Sequence, residues 1–222
     1  MKLELVCGIC FINHCNMAVV QELETLLANA NVPSPYILVG HSIGGYYIRV
    51  FADRNPDKVQ GLVFIASSHE DQAKTVNQEQ TFSQKISTSI QKNIMQATMQ
   101  TGLLRLATTI NPEYFGFAKK NLPVNRALLF SQVFGTTNAN DDFNGTMQSI
   151  DQVAEVDDLG NLPIRVITDK TEHDGDKFER QEDLASLSTN NKLISVPEAN
   201  HYIHVTQPQA VIDQVLELIS TQ

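Results

Sequence analysis

The sequence predicts an α/β fold: a mainly parallel sheet with flanking helices, interrupted by a helical insertion. Three observations carry that expectation. Helical and strand periods of hydrophobicity alternate along most of the chain. The strand candidates are short, continuous apolar runs, the kind buried on both faces of a parallel sheet. A long polar stretch without strand signal separates the first strand–helix–strand unit from the last. A chain of 222 residues, 42% hydrophobic and 18% charged, suits one compact domain over 1–222. Such a domain buries roughly 70% of its unfolded surface, and this composition argues against disorder and fibrous repeats.

Taken in order, Leu3 to Ile12 reads as a strand. Met17, Val20, Leu23, Leu26, Leu27 and Ala30 then recur at three- and four-residue spacing, one apolar stripe on a helix, with Val32-Pro33-Ser34-Pro35 as the stop. Tyr36-Ile37-Leu38-Val39 is a strand expected to be buried on both faces, Gly40 to Gly45 a turn, Tyr46 to Arg54 a helix, and Gly61 to Ala66 a second buried strand. From 71 to 151 the sequence turns rich in Gln, Thr, Ser and Asn with helical islands such as Leu103-Leu104 and Leu128-Leu129-Phe130, and is expected to form a helical cap or lid. The sheet pattern resumes with Pro163 to Thr168, a helix from Asp176 to Leu187, a strand from Lys192 to Val196 and a closing helix from Gln207 to Ile219.

The formal net charge of −9, without a run of Lys or Arg, argues against nucleic-acid binding. The apolar runs are shorter than the ~18 residues of a membrane span. All three cysteines, Cys7, Cys10 and Cys15, fall in the first fifteen residues, which leaves no disulfide framework and suits a reducing, cytoplasmic compartment. With His14 they imitate a zinc-ligand spacing, but inside an apolar run they read as buried small residues, so no metal is expected. The same run is too short, and interrupted by Glu4, for a secretory leader.

Gly40-His41-Ser42-Ile43-Gly44 satisfies G-x-S-x-G, with a strand leading in and a helix leading out. In such a turn the serine occupies a strained conformation at the carboxyl end of the strand, and side chains at Gly40 and Gly44 are expected to collide with neighbouring backbone. The Ile43 N–H, at the positive end of the following helix, is placed to hold a developing oxyanion. A serine hydroxyl needs a base. His201, just after the last strand, is the candidate, and His204 is its near competitor. His41 is expected to point away from the site, and His69 and His173 to lie on solvated loops. An acid should orient the base. The loop after Thr168 offers Asp169, Glu172, Asp174 and Asp176; Asp176 is expected to cap the next helix. Glu172 is favoured, with Asp174 and Asp169 as alternatives, and Asp151, Glu155 and Asp157 stand behind them.

The stretch Val20 to Gln72, above all Pro35 to Gly45 and Gly61 to His69, resembles the α/β-hydrolase superfamily, and Asn200-His201-Tyr202-Ile203-His204 with Gln207-Pro208 is similar to that family's catalytic-histidine segment. The resemblance covers about two-thirds of the chain. It implies Ser42 as nucleophile, His201 as base and Glu172 as acid, with no cofactor. An aspartate at the elbow would imply epoxide or haloalkane chemistry; a serine implies hydrolysis of a carboxylic ester or related small acyl substrate through an acyl-enzyme. Members usually carry three or four strands before the elbow, yet Ser42 has only 41 residues ahead of it. A sheet shortened on one side is therefore expected, with no visible source for the second oxyanion donor. Loss of one donor typically costs about 10²–10³ in turnover. An impaired relic acting as a binding protein, and self-association through an exposed sheet edge, are the corresponding alternatives.

Overall fold

The structure is a computed structural model that describes residues 16–71 and 149–220. The expected strand at 3–12, the cysteine cluster and all but the margins of the expected lid at 71–151 lie outside the described residues. Among the described residues four strands form one sheet, β1 (Tyr36–His41), β2 (Val59–Ile65), β3 (Ile164–Thr168) and β4 (Asn191–Ser195), in the spatial order of the chain. Every pairing is parallel, with Val39 beside Val63, Val63 beside Arg165, and Arg165 beside Lys192. Helices α1 (Asn16–Asn29), α2 (Gly44–Arg54), α3 (Asp176–Ser186) and α4 (Pro208–Ser220) cover it.

Alternation along the strands divides the core between two faces. Leu62, Phe64, Ile164 and Val166 meet Val20 and Leu27 of α1, Ile48 and Phe51 of α2, and Leu184 of α3. Val63, Ile65 and Ile167 meet Val211, Val215 and Leu218 of α4. Phe64 is fully buried, and its truncation to Ala is expected to cost about 3–5 kcal/mol. Arg165, in register with Val63 on the α4 side, is buried too; its guanidinium donates to Glu217 at 3.2 Å, which keeps a charge tolerable in that layer.

Three elements differ from expectation. The first helix is stopped by Asn31, not by the prolines. Asn31 takes φ +51° while its N–H donates to Ala28 O and the Val32 N–H to Leu27 O, a Schellman closure that satisfies the last carbonyls before Pro33 is reached. β1 is half-buried from Tyr36 to Val39, not buried on both faces, and among the described residues it pairs with β2 alone. The sheet is extended past Val39 to His41 and α2 begins at Gly44, so strand and helix together consume most of the segment expected as a turn.

α2 is buried from Gly45 to Ala52, Arg49 included. A buried guanidinium requires a counter-charge and acceptors for its remaining donors. Glu70 supplies the first, accepting from Arg49 at 3.0 and 3.2 Å, and Val156 O accepts from both Arg49 Nε and the second terminal nitrogen. This clamp ties α2, the segment after β2 and the approach to β3 into one unit around the carboxyl edge of the sheet.

Candidate active site

The strand–helix junction leaves Ser42 at φ +53°, a conformation that costs a non-glycine residue of order 1–3 kcal/mol. The surrounding hydrogen bonds hold it there. The Ser42 N–H continues the ladder to Ile65 O at 3.1 Å, while its carbonyl accepts from Gly45 N–H and from Ser68 N–H. The glycines have unequal roles. A Cβ on Gly40 would stand 2.6 Å from Gly44 O, so that position must be bare. A Cβ on Gly44 would meet nothing within 4 Å, contrary to expectation. The second crowded position is Gly45, where a Cβ would come within 2.6 Å of Ser67 Oγ. Ser67 in turn donates to Gly40 O at 3.1 Å, locking the elbow from the side of β2. Ile43 is the N-cap of α2, at φ −60°, one peptide from Ser42.

His201 reaches this edge from the far end of the chain. Its loop follows β4, is bent by the Asn200 side chain accepting from Tyr202 N–H at 2.9 Å, and enters a single helical turn, Ile203–Thr206, that leads into α4. His41, the residue bonded to Ser42, receives it. The His41 Nε2 lies 2.9 Å from the His201 carbonyl oxygen, and its ring centroid is 4.7 Å from that of His201, 4.5 Å from His204 and 5.5 Å from Tyr202. His41 therefore faces the base segment instead of pointing away, as expected from sequence.

Burial depresses all three imidazoles. It pushes His41 down to about 4, against the opposing effect of its bond to the His201 backbone. For His201 burial is again the largest influence, countered by the Asp169 carboxylate and reinforced by Lys170. His204 is lowered by burial and by the charge on His201.

The loop after β3 sorts its carboxylates. Asp169 leaves the strand end with a mostly buried side chain, 2.7 Å from Lys170 Nζ, and its field acts on His201. Glu172 is exposed in the 3-10 turn Glu172–Asp174. Asp174 is occupied with that turn: the Thr171 N–H and hydroxyl both donate to it, which holds its carboxyl below the ordinary range. Asp176 does not cap α3; Gly175 is the N-cap and Asp176 the first helical residue. Sequence favoured Glu172; among the carboxylates of this loop, the Asp169 charge is the one that acts on His201.

His69 is not solvated as expected. It is 5% exposed, accepts from Asp71 N–H, and lies between Glu70 at 3.7 Å and Asp183 at 3.9 Å. The Arg49–Glu70 clamp escaped sequence reasoning altogether; the available signal was an arginine inside the apolar run Tyr46 to Ala52. His173 is exposed, as read. Among the described residues no group of three or more His, Cys, Asp or Glu is arranged to hold a metal ion, and no helix is long and apolar enough to cross a membrane.

A kinked strand–serine–helix junction with a histidine loop drawn to its side defines a hydrolase-type scaffold. The sequence model of the Alpha/beta hydrolase family matches residues 14–214, and the chain belongs to that family. It is 47% identical over 51 residues to an uncharacterized protein of Schizosaccharomyces pombe, a match covering 22% of this chain and 10% of that protein. Among solved structures it is similar to an epoxide hydrolase from Bacillus megaterium, captured as a mutant with its product, at a TM-score of 0.62 and 18% identity over 96% of this chain and 78% of that one. It is also similar to Est816, an N-acyl homoserine lactone degrading enzyme, at 0.59 and 14% over 95% and 77%. At these identities the likeness establishes the fold alone.

Proposed function

We propose that this chain is a serine hydrolase that cleaves a carboxylic ester or related small acyl substrate through an acyl-enzyme. The observation that supports this best is Ser42 held at φ +53° at the carboxyl end of β1 while the His201 loop is fastened to the adjacent residue, His41. Ser42 Oγ attacks the acyl carbonyl as His201 accepts its proton. The Ile43 N–H at the start of α2 stabilises the oxyanion. His201 then gives the proton to the departing alcohol, leaving the acyl group on Ser42. Water, deprotonated by His201, attacks that ester, and the proton returns to Ser42 as the carboxylic acid leaves. Asp169, not Glu172, is the acid that steadies His201 in this reading, because its carboxylate is mostly buried at the strand end and acts on the imidazole. No cofactor is needed for these steps.

The epoxide hydrolase resemblance does not redirect the chemistry, since at 18% identity it speaks for the fold, and the elbow residue here is a hydroxyl. A fluorophosphonate probe tests the reading. Labelling of the folded protein that disappears in Ser42→Ala is the expected result. Absence of labelling in folded protein would remove the serine mechanism and leave a binding protein on a hydrolase scaffold.

A further inference from the structure

We propose that His41 is a positioning residue for the base: as the neutral Nε2–H tautomer it donates to the His201 carbonyl oxygen and holds the His201 loop in register with Ser42. This rests on the Ser42–His201 reading above. A carbonyl oxygen can only accept, so the contact at 2.9 Å requires the proton on Nε2. The bond spans 160 positions of sequence and joins the last residue of β1 to a loop at the surface. That placement matters because His41 is bonded to Ser42. A peptide fixes consecutive Cα atoms about 3.8 Å apart, so whatever His41 grips is indexed to the nucleophile. The ring is itself confined, packed at centroid distances of 4.7 Å and 4.5 Å against His201 and His204 and 5.5 Å against Tyr202. Burial keeps the His41 imidazole uncharged well below neutral pH, so this ring adds no positive charge of its own beside the base while it cycles through its protonated form. Without this bond the loop would still follow β4, but among the described residues the base would be indexed to Ser42 through the sheet and α4.

The test compares the full-length wild type with His41→Phe, which keeps a ring but loses the donor, and His41→Gln, whose amide N–H can reach the same carbonyl. With an aryl ester substrate, His41→Phe is expected to lower kcat about tenfold or more with little change in KM, since sub-ångström to 1 Å misplacement of a catalytic group carries penalties of that order. His41→Gln is expected to recover kcat to within about threefold of wild type. Long-range proton–nitrogen NMR of the wild type provides a second readout independent of turnover and of whether His41→Phe folds. It should report a neutral His41 with the proton on Nε2. Wild-type kcat in folded His41→Phe, or an Nδ1–H tautomer, overturns the positioning role while leaving the serine mechanism intact. A wild type that neither labels with fluorophosphonate nor exceeds Ser42→Ala in turnover overturns both.

Discussion

Arg49 and Glu70 form a buried ion pair in which one guanidinium nitrogen, Nη1, donates to both carboxylate oxygens at 3.0 and 3.2 Å, at the junction of the helix that follows Ser42 and the segment that follows β2. Breaking such a pair strands a charge away from water. Arg49→Met or Glu70→Gln alone is expected to cost about 3–5 kcal/mol in denaturant unfolding. The double replacement Arg49→Met with Glu70→Gln should cost clearly less than the two single changes added together. Strict additivity would show that the two groups do not act as a unit.

The glycines of the elbow should separate sharply. Gly44→Ala places a methyl in open space in the first turn of α2, so it is expected to be neutral or to stabilise by about 0.4–1 kcal/mol. Gly45→Ala forces a methyl against Ser67 and is expected to cost about 1–3 kcal/mol, partly relieved by Ser67→Gly. Thermal melts of the four proteins decide this. Equal penalties at 44 and 45 would contradict the geometry.

Proton uptake provides a third prediction. In the proposed mechanism His201 works only when neutral, and burial lowers its imidazole below the ordinary 6.5. The acid limb of kcat/KM should therefore titrate below 6.5. Because the Asp169 carboxylate pulls that value upward, Asp169→Asn should move the limb to still lower pH, whereas a shift to higher pH would remove Asp169 from the role assigned to it. Stability follows the same sign for His41, whose folded form prefers the uncharged ring. Its contribution is complete above about 6.5 and erodes as pH falls toward about 4. Urea midpoints measured across that window should decline, and His41→Gln should flatten the decline.

Turnover also distinguishes the acids. Asp169→Asn is expected to reduce kcat by about 10²–10⁴-fold, the range seen when a histidine loses its orienting carboxylate. Glu172→Gln, exposed on its turn, should stay near wild type. Asp174→Ala should loosen the Thr171 turn and slightly lower the melting temperature with kcat retained. A large loss confined to Glu172→Gln would restore the assignment favoured by the sequence.

Much of the layout was legible before any coordinates. Apolar runs such as Leu62-Val63-Phe64-Ile65 have few alternatives to a buried strand, and Gly40-His41-Ser42-Ile43-Gly44 between a strand and a helix announces a sharp junction. Helix stops were harder. Asn31 in the left-handed conformation ends α1, and a single asparagine is a weaker mark in sequence than two prolines. Which glycine is crowded depends on Ser67, a residue of another strand's exit that local spacing does not reveal. The same holds for acids two to five positions apart on one loop. Asp169, Glu172 and Asp174 differ in what the fold leaves beside them: a histidine loop, solvent, and the threonine of their own turn. Pairings over long separations, such as Arg49 with Glu70 or His41 with the His201 carbonyl, come from tertiary packing and leave at most a hint in the form of an out-of-place polar residue.

Among the described residues the two faces of the sheet are unevenly clad, with α1, α2 and α3 on one and α4 on the other, and it is α4 that continues from the short turn after His201. The last helix thus doubles as a mooring. Shortening the chain from its carboxyl end would strip α4 from that side of the sheet and cast the His201 loop adrift in the same stroke, while Ser42, secured by β1 and β2, kept its place.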